Sequence, residues 1–360
     1  MYAFSFREEE VMARLARLRL SMTVSILLIT IIFAAFLGVL MLLIRLPLIF
    51  SLTFTLFATL IFILIQYLIG PAMVKWSTRL HYLKRGEHPW LETTVKDLAE
   101  KSAIPPPKLA IVPDPTPNAF VFGRTTRGAT LAVHEGLLKQ LNQNEVRGVI
   151  GHELGHIKHK DFVVMTVLSA LPLIAYLIAR LTFRVALATD GGKKKGGEVA
   201  FRALLFVAAA ISYVVYIITL LCVMRLSRLR EHYADAYSAY VTGEPRQLGS
   251  ALTKITYGLS LSPKPPHGAR TLYIGDPALA KQECRGIMQR KEEYDLDKDG
   301  VLDKRELELA MEREAKSRWT TVNTWFATHP ATYQRILLLS EIEKEMASGR
   351  YSSDRVYIHV

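Results

Sequence analysis

His152-Glu153-Leu154-Gly155-His156, followed by Ile157-Lys158-His159-Lys160-Asp161 and then by an apolar run that begins at Phe162, is the stretch that decides how this chain is read. On a helix, residues four apart share a face, so both imidazoles can reach one metal ion while Glu153 is placed to act on a water beside it. The pattern outlines a hydrolytic zinc site. Chance alone would produce it about once in a hundred chains of this size and histidine content, so its surroundings carry the argument.

Those surroundings are a membrane. Half of the 360 residues are hydrophobic, and they are gathered into blocks instead of being spread at amphipathic spacing. Four blocks reach the roughly 20 residues that a bilayer crossing needs: Met22 to Ile44, Phe50 to Ile69, Phe162 to Ala179, and Ala203 to Met224. The third carries Pro172 and ends at Arg180. The first run is too long for a cleaved leader and is followed at once by a second, so the N-terminus is expected to be retained. The blocks pair into two hairpins, one joined by Arg45-Leu46-Pro47 and the other by a loop from about Arg180 to Arg202. Both termini and the long polar segments then share one side. Arg7, Arg14, Arg17 and Arg19, then Lys75, Arg79, Lys84 and Arg85, then Arg225, Arg228 and Arg230 flank the blocks there, which assigns that side to the cytoplasm. Lys193, Lys194 and Lys195 in the second loop run against this pattern.

The organisation that follows is a membrane-surface lead-in over 1–20, a hairpin over 21–71, a first catalytic half over 72–161, a second hairpin over 162–224, and a second catalytic half over 225–360. The fold class is a mainly α membrane protein with four transmembrane helices and an α+β zincin-like domain containing a small, edge-exposed sheet. The formal charge of +12 sits at membrane flanks, where anionic headgroups are its partner, and no nucleic-acid motif is visible. Cys222 falls in an apolar block and Cys284 in a polar helix, so neither a disulfide nor a cysteine metal pair is expected. The ligands must be histidine and carboxylate.

A catalytic zinc takes three protein groups and keeps a position for water. Glu231, in Arg230-Glu231-His232-Tyr233-Ala234-Asp235, is the best third ligand. His156 precedes its apolar block by about six residues and Glu231 follows the next by about seven, roughly 10 Å of helix in each case, so an antiparallel hairpin returns the chain at matching height. His159 lies near the same face as His152 but lacks the longer glycine-containing spacing of metzincin sites. His232 points away from Glu231 by a helical step. Asp235 is better placed as an acceptor for a ligand histidine.

With His152, Glu153, His156, Glu231 and Asp235 around an apolar hairpin, the chain resembles the HtpX family of membrane zinc metalloproteases, related to the CAAX prenyl proteases. The likeness extends to Pro117-Asn118-Ala119-Phe120, to Asp161, and to Thr328-His329-Pro330 followed by Arg335. It implies a gluzincin-like endopeptidase in which His152, His156 and Glu231 hold one Zn2+ and Glu153 is the general base. It further implies that Asn118 and Ala119 lie on an edge strand that pairs with extended protein or peptide substrates. By the same likeness His329 stabilises the oxyanion, Arg335 supports it, and the role is protein quality control. Plainer readings stand beside these: Asn118 serving a turn after Pro115 and Pro117, His329 fixing a loop, Asp161 capping or orienting the metal helix. Lys108 to Pro113 and Ala129 to His134 read as short strands.

A second motif lies outside that pattern. Asp295-Leu296-Asp297-Lys298-Asp299-Gly300-Val301-Leu302-Asp303-Lys304-Arg305-Glu306 matches the twelve-residue EF-hand loop, with carboxylates at positions 1, 3, 5, 9 and 12, glycine at 6 and an apolar residue at 8. Helix-like stretches from about Ala278 to Tyr294 and from Asp303 to Lys316 flank it, forming an insertion at about 278–316. The predicted Ca2+ ligands are Asp295, Asp297, Asp299, the Val301 carbonyl, Asp303 and Glu306. Two enzyme alternatives to the endopeptidase are a prenyl-peptide protease, which needs more spans than four, and an intramembrane protease, which the polar Lys158 to Asp161 disfavours. The non-enzyme alternative is a calcium-responsive membrane scaffold, for which Glu153 would be superfluous.

Overall fold

Asn142 opens the helix that carries the motif. Its side chain accepts from the Glu145 N–H while the Glu145 carboxylate accepts from the Asn142 N–H, a reciprocal cap that fixes the first turn. Glu145 is also held by Ser250 Oγ and Lys254 Nζ, which ties this helix to a later one. The structure, a computed structural model, describes residues 48–188, 196–261, 273–298 and 329–349, with isolated positions elsewhere. The first apolar block, Lys193 to Lys195, and Asp299, Val301 and Asp303 lie wholly or largely outside these residues.

In chain order the elements are α1 (Leu48–Thr78), β1 (His81–Tyr82), α2 (Pro89–Lys101), β2 (Lys108–Val112), β3 (Ala119–Phe122), β4 (Thr130–His134), α3 (Glu135–Gln140), α4 (Gln143–Lys158), α5 (Asp161–Ala188), α6 (Gly196–Thr242), α7 (Pro245–Ser260), α8 (Pro277–Gln289), α9 (Lys291–Tyr294) and α10 (Thr332–Ala347). The fold is mostly helical with one small sheet. The chain divides into two units, one made of Met1–Arg17, Pro71–Phe162 and Ser227–Val360, the other of Leu18–Gly70 and Val163–Leu226.

The first unit is built on the sheet, whose order is β1-β2-β4-β3. β2 runs parallel to β4, and β3 runs antiparallel to it with Ala119 opposite Val133 and Val121 opposite Leu131. Strand alternation sorts the side chains into two cores. Ala110, Val112, Phe120, Phe122 and Ala132 join Leu80 on one face. Ile111, Ala119, Val121, Leu131 and Val133 join α2, α4 and α7 on the other. β3 is left at the edge of the sheet.

Within the same unit, glycines let α6 lie close on the motif helix. A Cβ on Gly155 would meet Ala234 Cα at 3.2 Å, and one on Gly151 would meet Ser238 Oγ at 2.9 Å. Ser238 Oγ instead donates to the Gly148 carbonyl at 2.7 Å. This close approach fixes the rotation of α6 that matters for Glu231.

The second unit consists of helices with exposed apolar side chains, among them Leu60, Leu64, Leu181, Val207 and Val214. Two described stretches, Leu171–Ala188 and Val199–Thr242, are long and apolar enough by length and composition to cross a membrane. The expected second block, Phe50 to Ile69, lies within α1. The loop expected from Arg180 to Arg202 is shorter than the sequence reading, because α5 continues to Ala188 and α6 begins at Gly196. Arg180, Arg184 and Arg202 are good helix formers whose long stems tolerate an apolar setting, so charge there does not end a helix.

Candidate active site

α4 and α6 bring His152, His156 and Glu231 together. His152 Nε2 and His156 Nε2 are 3.1 Å apart, His152 Nε2 is 3.5 Å from Glu231 Oε2, and His156 Nε2 is 3.4 Å from Glu231 Oε1. Three donors at the corners of a tetrahedron, about 2.0–2.1 Å from a zinc ion, stand roughly 3.3 Å from one another, so the triangle has the size of a zinc face. Its chemistry agrees. Two imidazole nitrogens aimed at one another repel as lone pairs unless a cation sits between them, and the Glu231 carboxylate faces the same point.

The outward nitrogens are taken up by carboxylates. His152 Nδ1 lies 2.8 Å from Asp235 Oδ1, and His156 Nδ1 lies 2.7 Å from Asp161 Oδ2. Each contact fixes the tautomer that leaves Nε2 free to bind. Asp161 reaches back because Lys160, between α4 and α5, takes a left-handed φ of 59°, a conformation that costs a non-glycine residue of order 1 kcal/mol or more. Asp235 is gripped by Arg335, whose Nε and Nη2 donate to Oδ2 and Oδ1 at 2.7 Å each. Arg335 is 1% exposed, and its Nη1 also lies 3.4 Å from Glu231 Oε2.

Electrostatics follow from burial against these partners. Burial pulls the His152 imidazolium down, but Asp235 and Glu231 outweigh it and leave its pKa above the ordinary value. The place therefore favours positive charge, which is what a divalent ion supplies. Burial pushes the Glu153 carboxyl up, with Glu231 adding to it and His156, His152 and Arg335 opposing.

The remaining predicted residues fall as follows. His329 is buried, with Nδ1 3.2 Å from Glu231 Oε2. Asn118, just before β3, is fully buried; its Oδ1 accepts from the Ile274 N–H at 3.0 Å, and the Ile274 carbonyl accepts from Arg335. Ala119 begins the edge strand. His159 is drawn elsewhere, with Nε2 2.8 Å from Tyr357 Oη and its ring among Tyr233, Tyr237 and Tyr357. His159 and His232 stand outside the ligand group. In the EF-hand-like segment, carboxylate oxygens of Asp295, Asp297 and Glu306 lie within 4.8 Å of one another. One residue of consequence escaped the sequence reading: Arg230, whose Nη2 lies 2.8 Å from Asp161 Oδ1. It reads as one more membrane-flanking charge, and only its position beside Glu231 sets it apart.

Comparison with known proteins bears on this geometry. The model of peptidase family M48 matches residues 86–343. The Protease HtpX homolog of Methanothermobacter thermautotrophicus is 40% identical over 198 residues, covering 55% of this chain and 71% of that protein. The homolog of Aeropyrum pernix is 40% identical over 194 residues, covering 54% and 59%. That of Moorella thermoacetica is 37% identical over 199 residues, covering 55% and 65%. Among solved structures, the crystal structure of S. mikatae Ste24p covers 88% of this chain and 63% of its own, at 16% identity and a TM-score of 0.46. The family match spans both histidines, Glu231 and the helix bearing Arg335. This chain belongs to peptidase family M48 and is a metalloprotease.

Proposed function

We propose that the protein is a membrane-anchored zinc endopeptidase, with His152, His156 and Glu231 as ligands and Glu153 as general base. The observation that carries this is the donor triangle of zinc dimensions, with both outward imidazole nitrogens already committed to carboxylates. Bound there, zinc supplies Lewis acidity, polarising the scissile carbonyl and lowering the pKa of a water to about 7. Glu153 takes the proton from the attacking water and returns it to the leaving amine. His329, beside Glu231, is the donor for the developing oxyanion, and Arg335 keeps Asp235 ionised against His152.

Substrate is held as an extended strand beside β3, which ends the strand order among the described residues although its own residues are buried, and main-chain hydrogen bonds there give affinity with little sequence demand. Ala119 offers the main chain, and Asn118 fixes the strand by its bond to Ile274. Catalytic halves 72–161 and 225–360 flank a hairpin over 162–224, so cleavage takes place near the membrane surface. The basic flanks favour the cytoplasmic side for that surface, where misfolded or membrane-associated proteins are the substrates that such a site meets. The test is to purify the protein in detergent with chelator, then add zinc and follow cleavage of an unfolded protein. Cleavage that zinc restores supports the proposal, and zinc binding without any cleavage dismisses it in favour of a scaffold.

A calcium site at 295–306 is a second reading, favoured by the meeting of Asp295, Asp297 and Glu306 within a complete loop motif. Tyr294 and Ala310, on either side of the loop, pack with Ile287, Ala331 and Tyr333, so an ion there would stiffen the chain beside His329. Calcium added to chelator-treated protein is expected to raise the melting temperature. If it alters neither melting nor cleavage rate, the loop is an acidic surface turn.

A further inference from the structure

The two metal-facing histidines are backed by parallel relays: His152 to Asp235 to Arg335, and His156 to Asp161 to Arg230. All six side chains are fully or mostly buried, and Arg230 and Asp161 are each 4% exposed at the side chain. We infer, on the zinc reading above, that Arg230 is a positioning residue for the metal site, acting through Asp161 on His156.

The physical case rests on how differently the arginines are used. Arg335 forks onto both oxygens of Asp235 and donates to the Ile274 carbonyl. Among the described residues Arg230 makes a single ion pair, Nη2 with Asp161 Oδ1 at 2.8 Å, while its Nε and Nη1, and Asp161 Oδ1 itself, find no hydrogen-bond partner there. A buried cation with one ion-pair partner depends on that partner, and the partner depends on it. With Arg230 in place, Asp161 is held by Oδ1 and keeps its other oxygen on His156 Nδ1, which orients the ring and leaves Nε2 for the ion. Without it, Asp161 loses the contact that fixes its carboxylate and is free to turn away, and His156 loses its orientation. Position makes the coupling economical: Arg230 directly precedes Glu231 on α6, so one turn of helix supplies a ligand and steadies the orienter of another.

The difference in use predicts a difference in replaceability. Lysine offers a point charge without a fork, so it can stand in for one contact but not for two parallel ones. The experiment measures zinc affinity of chelator-stripped protein by competition with a chromophoric chelator, with circular dichroism on each variant. Arg230→Met and Asp161→Asn are each expected to weaken zinc binding by roughly 10–100-fold, the cost of losing an orienting partner. The double variant should be no weaker than the worse single one, because the two act as a unit. Arg230→Lys should recover most of the affinity, whereas Arg335→Lys should not. Wild-type affinity in Arg230→Met, or single effects that multiply in the double variant, overturns the inference. Should Arg230→Met not fold, Arg230→Lys and Asp161→Asn still decide: loss in Asp161→Asn with recovery in Arg230→Lys supports it, and wild-type affinity in Asp161→Asn overturns it. Failure of the wild type itself to bind zinc would instead sink the zinc reading on which the inference rests.

Discussion

Glu283 shows what a single buried residue can reveal. Its Oε1 accepts from the Thr332 N–H at the start of α10, the helix that carries Arg335, while Oε2 finds no partner among the described residues. Burial is the main cause that pushes its pKa up to about 7, Thr332 opposes it, and Asp276 adds to it. A carboxyl raised in the folded state holds its proton while the unfolded chain has lost its own. Folded stability is therefore full below about pH 4.5 and falls as pH rises to 7, by on the order of 3 kcal/mol at about 1.4 kcal/mol per pH unit. Glu283→Gln should remove that slope, so its melting temperature should overtake the wild type between pH 5 and 8. Parallel melting curves for the two proteins across that range would exclude this. The meeting of His152 and His156 was legible in the sequence because helix periodicity puts residues four apart on one face, and the place of Asp235 follows from its four-residue step after Glu231. Arg230, the hold of Asn118 on Ile274 and the fork of Arg335 on Asp235 were not, because each joins residues far apart in the chain through side-chain direction, which periodicity does not encode.

At the scale of elements, the site depends on how closely α6 lies on α4. Gly155 sits inside the motif, and a side chain there would press on Ala234 Cα and Tyr237, moving Glu231 away from the histidines. Gly155→Val should cost about 1–3 kcal/mol of stability, as overpacking does, and weaken zinc binding as well. Thermal melting and chelator competition on one sample would check both, and unchanged zinc affinity would show that the close approach at Gly155 does not set the position of Glu231. By contrast, Leu131→Ala, in the sheet core with Leu131 0% exposed, should cost about 2–5 kcal/mol with zinc affinity largely kept while the protein is folded. Strands β2 and β4 were readable as short apolar runs, and their pairing order was not, since a parallel neighbour cannot be inferred from either run alone. Helix ends near the membrane were misread for a definite reason: Arg180 looks like a boundary on a hydropathy scale and is helical in fact.

The whole molecule is a metalloprotease in which the helix bearing His152 and His156 is followed at once by an apolar segment, with Glu231 on the long helix that comes next. In the chain, His156 and Glu231 thus lie on either side of the apolar stretch 162–224. The claim at the centre is that zinc on His152, His156 and Glu231 works with Glu153 to cut peptide bonds. The most direct measurement compares zinc content and cleavage of an unfolded protein for the wild type and Glu153→Gln, both reconstituted with zinc in detergent. About one zinc per chain is expected in each, with cleavage lost by several orders of magnitude in Glu153→Gln. Cleavage by Glu153→Gln at the wild-type rate would contradict it.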